Sequence, residues 1–509
     1  MTTPLPPQIL IAVVGTGAMG AGIAQVAAAA GHPVKLLDNR PGAAQKAVEG
    51  IRAQFAKMAE KGKLSAEAAA AASARLIPVE QLADLADAGL VTEAIVENLE
   101  AKQKLYVDLE GIVGPDCIFG TNTSSISVTA IGAALKRPER LAGLHFFNPA
   151  PLMALVEIVS GLATDCRVAE TLFATAAAWG KTPVHAKSTP GFIVNRVARP
   201  YYAEALRQLH EGIADVATID AIMREAGGFR MGPFELMDMI GLDVNFAVTN
   251  SVWNAFFNDP RFTPSLIQQE YVAAGWYGRK NGRGFYDYRP AASKPEASSA
   301  AAQPVPPSIV LHGTSPLAEA LAKRLTDRAV PFTRLPNTTG GFVAAAGNAC
   351  LYVTDGRSAT RRASETGVAN TIVVDLASDY ATTPRLAMAS AASCSSATTE
   401  LAIGLLQAAG IAVSCVKDAP GLPLMRTLAM LANEASDAVN QGVSDAAGID
   451  TAMRLGVGYP RGPLAWAHEV GLSSIRTVLK NLGEGYGEDR YRISPLIEQQ
   501  HFACTRHSS

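Results

Sequence analysis

Two residues of this chain, His145 and Glu157 in "HFFNPAPLMALVE", have the types and spacing that suit proton transfer. Of the eight histidines, His145 alone is followed by a carboxylate twelve residues on; His312 is followed by Arg324 and His468 by Lys480. His145 closes one apolar run, "NPAP" turns the chain, and Glu157 lies in the next run. A hairpin-like return therefore brings the two side chains together. A carboxylate bonded to one imidazole nitrogen fixes the tautomer and raises the basicity of the other, which describes a general base for an alcohol proton. "TNTSSIS" places Asn122, Thr123, Ser124 and Ser125 just past another strand end. Hydroxyls there bond a substrate or a cofactor, or serve only the turn. Asn195 follows the Pro190-Gly191 break, where its amide bonds a substrate oxygen or caps a helix.

A proton acceptor for an alcohol needs a hydride acceptor beside it. "VVGTGAMG" supplies Gly15, Gly17 and Gly20 as G-x-G-x-x-G, directly after an apolar strand and opening an Ala-rich helix. The first glycine permits the tight turn, the second lets the backbone approach a pyrophosphate, and the third lets the helix pack closely. Asp38 ends the second strand 23 residues after Gly15, where a carboxylate bonds the ribose 2′-OH. It repels a 2′-phosphate and so favours NAD over NADP, with Arg40 as the one contrary charge nearby. The candidate cofactor loop is Gly15, Thr16, Gly17, Ala18, Met19 and Gly20, completed by Asp38.

The elements that must position these groups are legible as short apolar runs. "ILIAVV", "PVKLLD", "LVTEAIVE", "CIFGTN", "LAGLHFF", "ALVEIVS" and "TPVHAK" read as strands with helical patterns between several of them. That alternation implies an open α/β sheet over 1–187. Residues 188–290 read as a helical domain, and the Pro/Ala/Ser-rich 291–307 as a linker with nothing to bury. The order then recurs: a degenerate Rossmann-like domain over 308–418 and a second helical domain over 419–509. Pairing each residue from 190 to 242 with the one 230 positions later gives 17 identities in 53 without a gap, which marks a duplication. The later copy has Met425 in place of Asn195, and "HGTSPLA" in place of the glycine-rich turn. The fold class expected is a Rossmann-like NAD-binding domain plus an all-α domain, the latter by resemblance 6-phosphogluconate-dehydrogenase-like, both repeated in degenerate form.

Composition excludes several function classes. The 509 residues are 48% hydrophobic and 18% charged with net charge −2, so no basic field invites nucleic acid or an anionic membrane. No apolar segment is long enough to span a bilayer, and no signal-peptide pattern opens the chain. Six cysteines (117, 166, 350, 394, 415, 504) show no metal spacing, and the expectation is free thiols in a reducing cytoplasm without a bound metal.

Taken together, "GTGAMGAGIAQVAAAAGH", "EAIVENLEAK", "TNTSSI", "GLHFFNPAPLMALVEIV", "TPGFIVNR" and "GPFELMDMIGLD" resemble the (S)-3-hydroxyacyl-CoA dehydrogenase family over residues 9–288. The resemblance implies NAD as cofactor and an acyl-CoA substrate. It makes His145 the acid/base, Glu157 its orienting partner, and Ser124 and Asn195 contacts to the reacting end. It puts Asn148 near the nicotinamide, Glu97, Lys102 and Lys280 at cofactor contacts, and Lys61 at the CoA moiety. The family's serine near position 54 is Gln54 here. The duplicated length resembles the long members associated with phenylacetate catabolism, which implies 3-hydroxyadipyl-CoA. The alternatives are 3-hydroxybutyryl-CoA, a free hydroxy acid, and a catalytically idle NADH-binding protein. The family's helical domain commonly dimerises, which implies an internal pseudo-dimer or a homo-oligomer.

Overall fold

The computed structural model describes residues 3–337 and 340–505; residues 506–509 of the second helical segment and the Cys504 side chain lie outside the described set. Two compact units result. One comprises the chain up to Arg196 together with Gln441–Val457; the other comprises Val197–Asn440 and Gly458 onward.

The first unit is built on an eight-stranded sheet. Its strands are β1 Ile11–Val14, β2 Val34–Leu37, β3 Leu76–Val79, β4 Leu90–Glu93, β5 Ile118–Thr121, β6 Leu141–Phe146, β7 Leu155–Ser160 and β8 Thr182–Lys187. Their order is β3-β2-β1-β4-β5-β6-β7-β8, and every neighbouring pair is parallel except β6 and β7. β1, β4 and β5 are buried along their whole length, and β1, IAVV, accordingly reads as an unbroken apolar run rather than an alternating one. The helices are α1 Ala18–Ala29, α2 Ala43–Glu60, α3 Ala66–Ala74, α4 Leu99–Glu110, α5 Val128–Gly132, α6 Cys166–Ala178 and α7 Val194–Val197. β3 was not anticipated: "LIPV" carries a proline, and a proline inside a run argues against a strand. It survives at the sheet edge, where the missing N–H has no ladder partner to lose.

The second unit holds α8 Arg199–His210, α9 Val216–Glu225, α10 Pro233–Ile240, α11 Leu242–Ala255 and α12 Leu266–Ala273. Its sheet runs β10-β9-β11-β12-β13-β14-β15. These strands are β9 Ile309–His312, β10 Thr333–Leu335, β11 Ala344–Ala346, β12 Ala349–Val353, β13 Thr371–Val374, β14 Arg385–Ser390 and β15 Ala412–Cys415. The remaining helices are α13 Pro316–Asp327, α14 Ala359–Thr366, α15 Ser396–Ala408, α16 Pro423–Asn440, α18 Pro463–Val470, α19 Leu472–Tyr486 and α20 Pro495–Thr505, with α17 Ala446–Gly456 in the first unit. Residues 291–307 have no regular structure, but they are not a loose tether. Ala300 N donates to Val413 O at 2.8 Å, Ser414 Oγ to Ser298 O at 2.8 Å, and Pro306 is buried. Backbone pairing against β15 anchors the segment where its composition showed nothing to bury.

The offset of 230 holds for conformation as well as identity. α6 maps onto α15, both 13 residues, and β14 copies β7 over six residues. The left-handed pair Gly191 and Phe192 (φ 76° and 48°) returns as Gly421 and Leu422 (φ 92° and 50°). One element of each copy is exchanged. α17 joins the first unit, where Lys187 N donates to Val443 O at 2.8 Å. In the second unit Lys417 N donates to Ile213 O at 3.0 Å, the same bond shifted by 230.

α8 and α16 pack together in the second unit through buried charges. Arg426, with no exposed side-chain surface, donates to Glu204 at 2.7 Å and Glu211 at 3.0 Å, and Arg261 reaches Glu434 at 3.1 Å.

Candidate active site

β6 and β7 form the one antiparallel pair of the first sheet, and their register sets His145 directly opposite Glu157. Directly opposed side chains share a face of the sheet. His145 Nδ1 lies 2.7 Å from Glu157 Oε2, with the histidine 6% and the glutamate 0% exposed. Glu157 Oε1 accepts from the backbone N–H groups of Ile193 (3.1 Å) and Val194 (3.0 Å) at the start of α7. One carboxylate thus orients the imidazole and ties it to the segment that carries Asn195. A carboxylate at Nδ1 requires the proton there, which leaves Nε2 as the basic nitrogen. Phe147 and Phe192 close around the ring, with centroids 4.6 and 5.8 Å from it. Phe192 was missed by sequence reasoning; its one signal was its place after Pro190-Gly191, where the chain turns through a left-handed conformation.

Asn195 Nδ2 donates to Ser124 O at 3.4 Å, so the two polar candidates meet. The Ser124 hydroxyl has no hydrogen-bond partner among the described residues. Glu97 shapes this loop, accepting from Thr123 Oγ1 at 2.5 Å, Ser124 N at 3.0 Å and Ser125 Oγ at 2.9 Å. Burial works to raise the Glu97 carboxyl, but these donors and the Lys102 charge outweigh it and hold its pKa below the ordinary value. Lys102 is 1% exposed, its ammonium held by Glu93 at 2.9 Å and Glu97 at 3.2 Å. Lys102 is an internal cation that braces Glu97. The Glu93–Thr121 bond at 2.5 Å completes this network, and it too was invisible in the sequence. Asn122 Oδ1 accepts from Phe146 N at 2.8 Å, joining the loop to the strand of His145.

The glycine-rich turn fits a dinucleotide. Gly15 has φ +91°, and a Cβ there would lie 2.6 Å from Ala94 O; a Cβ on Gly20 would lie 1.8 Å from Gly15 O. At Gly17 a Cβ would meet nothing within 4 Å, so the face at the N-terminus of α1 is open to a phosphate. A cavity of about 760 Å³ runs along this turn, lined by Gly15, Thr16, Gly17, Asp38, Arg40 and Ile95 among others. Asp38 accepts from Thr16 N and Oγ1, both at 2.8 Å, and pairs with Arg40 at 3.0 Å. Arg40 first, then the Thr16 donors, hold the Asp38 carboxyl far below its usual range. The Arg40 guanidinium, largely exposed, is paired with this carboxylate at the rim of the cavity.

Ala18 is exposed and Met19 half-buried at the start of α1. Asn148 is exposed after β6, Gln54 is exposed on α2, and Lys61 is exposed as its C-cap residue. Lys280 belongs to the second unit, where it pairs with Asp243. Among the described residues no cluster of three His, Cys, Asp or Glu side chains is arranged to hold a metal.

A doubly wound sheet, an open glycine-rich turn ending at a carboxylate, and a buried His–Glu pair define a nicotinamide-dependent dehydrogenase. Residues 10–189 match the NAD-binding domain of 3-hydroxyacyl-CoA dehydrogenase, and 191–288 with 421–503 match its C-terminal domain. Residues 351–420 match the reduced Rossmann-fold domain of 3-hydroxybutyryl-CoA dehydrogenase. The chain is 45% identical to the 3-hydroxyadipyl-CoA dehydrogenase of Escherichia coli over 96% of its own length and 97% of the relative's. A probable 3-hydroxybutyryl-CoA dehydrogenase of Bacillus subtilis is 41% identical over 55% of this chain and 97% of that one. Among solved structures, a 3-hydroxybutyryl-CoA dehydrogenase from Escherichia coli superposes with TM-score 0.89 at 43% identity, covering 99% of this chain and 100% of that one. The chain belongs to the 3-hydroxyacyl-CoA dehydrogenase family, and it is an NAD-dependent oxidoreductase acting on 3-hydroxyacyl-CoA thioesters.

Proposed function

We propose that the first half alone carries out the oxidation, with His145 as acid/base, Glu157 as its orienting partner, and Ser124 and Asn195 as contacts to the substrate oxygen at C3. NAD, held along Gly15–Gly20 and Asp38, supplies the hydride acceptor. His145 Nε2 takes the proton of the 3-hydroxyl, and the resulting imidazolium is stabilised by Glu157. The hydroxyl of Ser124 and the amide of Asn195 bond the oxygen as it becomes a carbonyl. Bound NAD would accept the hydride from C3, and the product would be the 3-oxoacyl-CoA thioester. Asn148 lies at the nicotinamide end, and Lys61 and Gln54 face the CoA moiety.

The observation that carries this reading is the buried His145–Glu157 bond at the only antiparallel strand pair of the dinucleotide sheet. The second half supports the restriction to the first. At the offset of 230, His145 becomes Asp375 and Glu157 becomes Ala387. Asp375 accepts from Leu424 N and Met425 N at 2.7 and 3.0 Å, so it retains only the helix-anchoring task of Glu157. Ser315 in that half caps its own helix through Ala318 N, where the first half leaves Gly17 open.

The acyl chain we assign is 3-hydroxyadipyl, on the strength of the full-length relative so named, which gives the enzyme a place in phenylacetate degradation; 3-hydroxybutyryl is the rival that the superposing structure suggests. The paired α8 and α16 support an internal pseudo-dimer, and the five free described cysteines support a reducing, cytoplasmic setting. The test is NADH formation with both thioesters for wild type and His145→Ala. Turnover by the wild type, with kcat lowered about 10²- to 10⁴-fold in the variant, is the expected result. NADH binding without turnover of either thioester would replace this reading with that of an idle binder.

A further inference from the structure

Glu93 ends β4 with no exposed surface, and its carboxylate is fully engaged. Oε1 accepts from Lys102 Nζ at 2.9 Å and Thr121 Oγ1 at 2.5 Å. Oε2 accepts from Lys102 Nζ at 2.9 Å and Ile95 N at 3.1 Å. The donors come from three segments: Lys102 from α4, Thr121 from the end of β5, and Ile95 from the wall of the cofactor cavity.

Two routes lead from this carboxylate to Ser124. A hydroxyl has one proton, and Thr121 gives it to Glu93, which leaves the Thr121 oxygen to accept from Thr123 N at 3.2 Å. Lys102, held by Glu93, in turn holds Glu97 at 3.2 Å. Glu97 then accepts from Thr123 Oγ1, from Ser124 N and from Ser125 N. One buried carboxylate thus grips the loop at its start and, through Lys102 and Glu97, at its middle.

A buried ion pair adds little net stability over an apolar pair of the same volume, because desolvation offsets the attraction. What a fully satisfied polar network adds is a fixed direction for each donor. In the second sheet β11 takes the place of β4 beside β9, runs antiparallel to it, and carries Ala344, Ala345 and Ala346 with no carboxylate. The hub is missing from the half that has Asp375 for His145 and Met425 for Asn195.

We infer that Glu93 is a positioning residue for the reaction, fixing the place of Ser124 through Thr121 and through the Lys102–Glu97 pair. The inference rests on the role proposed above for Ser124.

The experiment uses the full chain as wild type, Glu93→Gln, Ser124→Ala and the double variant, with 3-hydroxyadipyl-CoA and 3-hydroxybutyryl-CoA. A carboxamide at 93 keeps the shape but puts an NH₂ group against N–H or O–H donors. Amide hydrogen exchange over residues 121–127, followed by mass spectrometry, should quicken at least about tenfold in Glu93→Gln, with α1 and β8 unchanged. Its kcat should fall about 10- to 100-fold with KM for the thioester within about threefold, as a misplaced reacting contact predicts. On the Ser124→Ala background the same change should cost less than about twofold, because the group it places is gone. Unchanged exchange over 121–127 would overturn the inference. Equal kcat losses on both backgrounds would do so too, since a merely structural role gives that result. Should Ser124→Ala match wild type, or neither thioester turn over, the proposed chemistry fails by itself. Quickened exchange then still supports the placement of the loop by Glu93, and unchanged exchange sinks it. If Glu93→Gln does not fold, Thr121→Val removes the hydroxyl link without changing shape and is judged by the same two readouts.

Discussion

Glu157 serves two partners at once, and that double duty makes it sensitive to a change of one atom. In Glu157→Gln the amide oxygen can still accept from Ile193 and Val194, but the NH₂ group then faces His145 Nδ1. An NH₂ donor there forces the proton onto Nε2, the wrong tautomer for a base. We expect kcat to fall about 10²-fold or more with KM little changed, measured by steady-state kinetics. A variant with wild-type kcat would show that the carboxylate does not orient the base. Asp38 is equally exposed to test, because Thr16 and Arg40 both depend on it. Asp38→Ala should raise KM for NAD about tenfold and narrow the preference over NADP, read from initial rates with each cofactor. An unchanged preference would remove Asp38 from cofactor choice.

At the scale of elements, the two copies secure the same helix start by different means. Glu157 reaches Ile193 and Val194 from β7, whereas Asp375 reaches Leu424 and Met425 from the end of β13. Asp375 is fully buried without a cation, and burial pushes its carboxyl up to about 7 against three backbone donors. A carboxyl whose folded pKa lies above its unfolded one stabilises the fold fully below the unfolded pKa and loses that contribution as pH rises. The wild type's advantage over Asp375→Asn should therefore shrink between about pH 4 and pH 7, by up to roughly 1.4 kcal/mol per pH unit, and level off above. Urea unfolding of both proteins across that range checks it. A pH-independent difference would mean that Asp375 is not the titrating group.

For the whole molecule, the contact between α8 and α16 is the arrangement that a separate second half cannot do without. Removing Arg426 takes the nearest cation from Glu204, which is 1% exposed and keeps only Arg490 at 3.6 Å and the Tyr491 hydroxyl, and leaves Glu211 with Arg207. Arg426→Ala should cost about 3–5 kcal/mol in unfolding free energy, read from urea unfolding. Deleting 291–509 should leave a fragment that self-associates or precipitates, because the same surface of α8 is then uncovered. A stable monomer in analytical ultracentrifugation would refute the pseudo-dimer.

Much of this arrangement was legible in the chain itself. The glycine-rich turn, the ungapped offset of 230 and the spacing of His145 and Glu157 are local or periodic patterns, and backbone sterics and strand periodicity act on them directly. Tertiary structure alone decided what depends on distant partners: the Lys102–Glu93–Glu97 network, the anchoring of 291–307 on β15, and the exchange of α9 and α17. A buried charge is stabilised or stranded by groups that the fold brings from far along the chain, and no local pattern encodes which of them arrive.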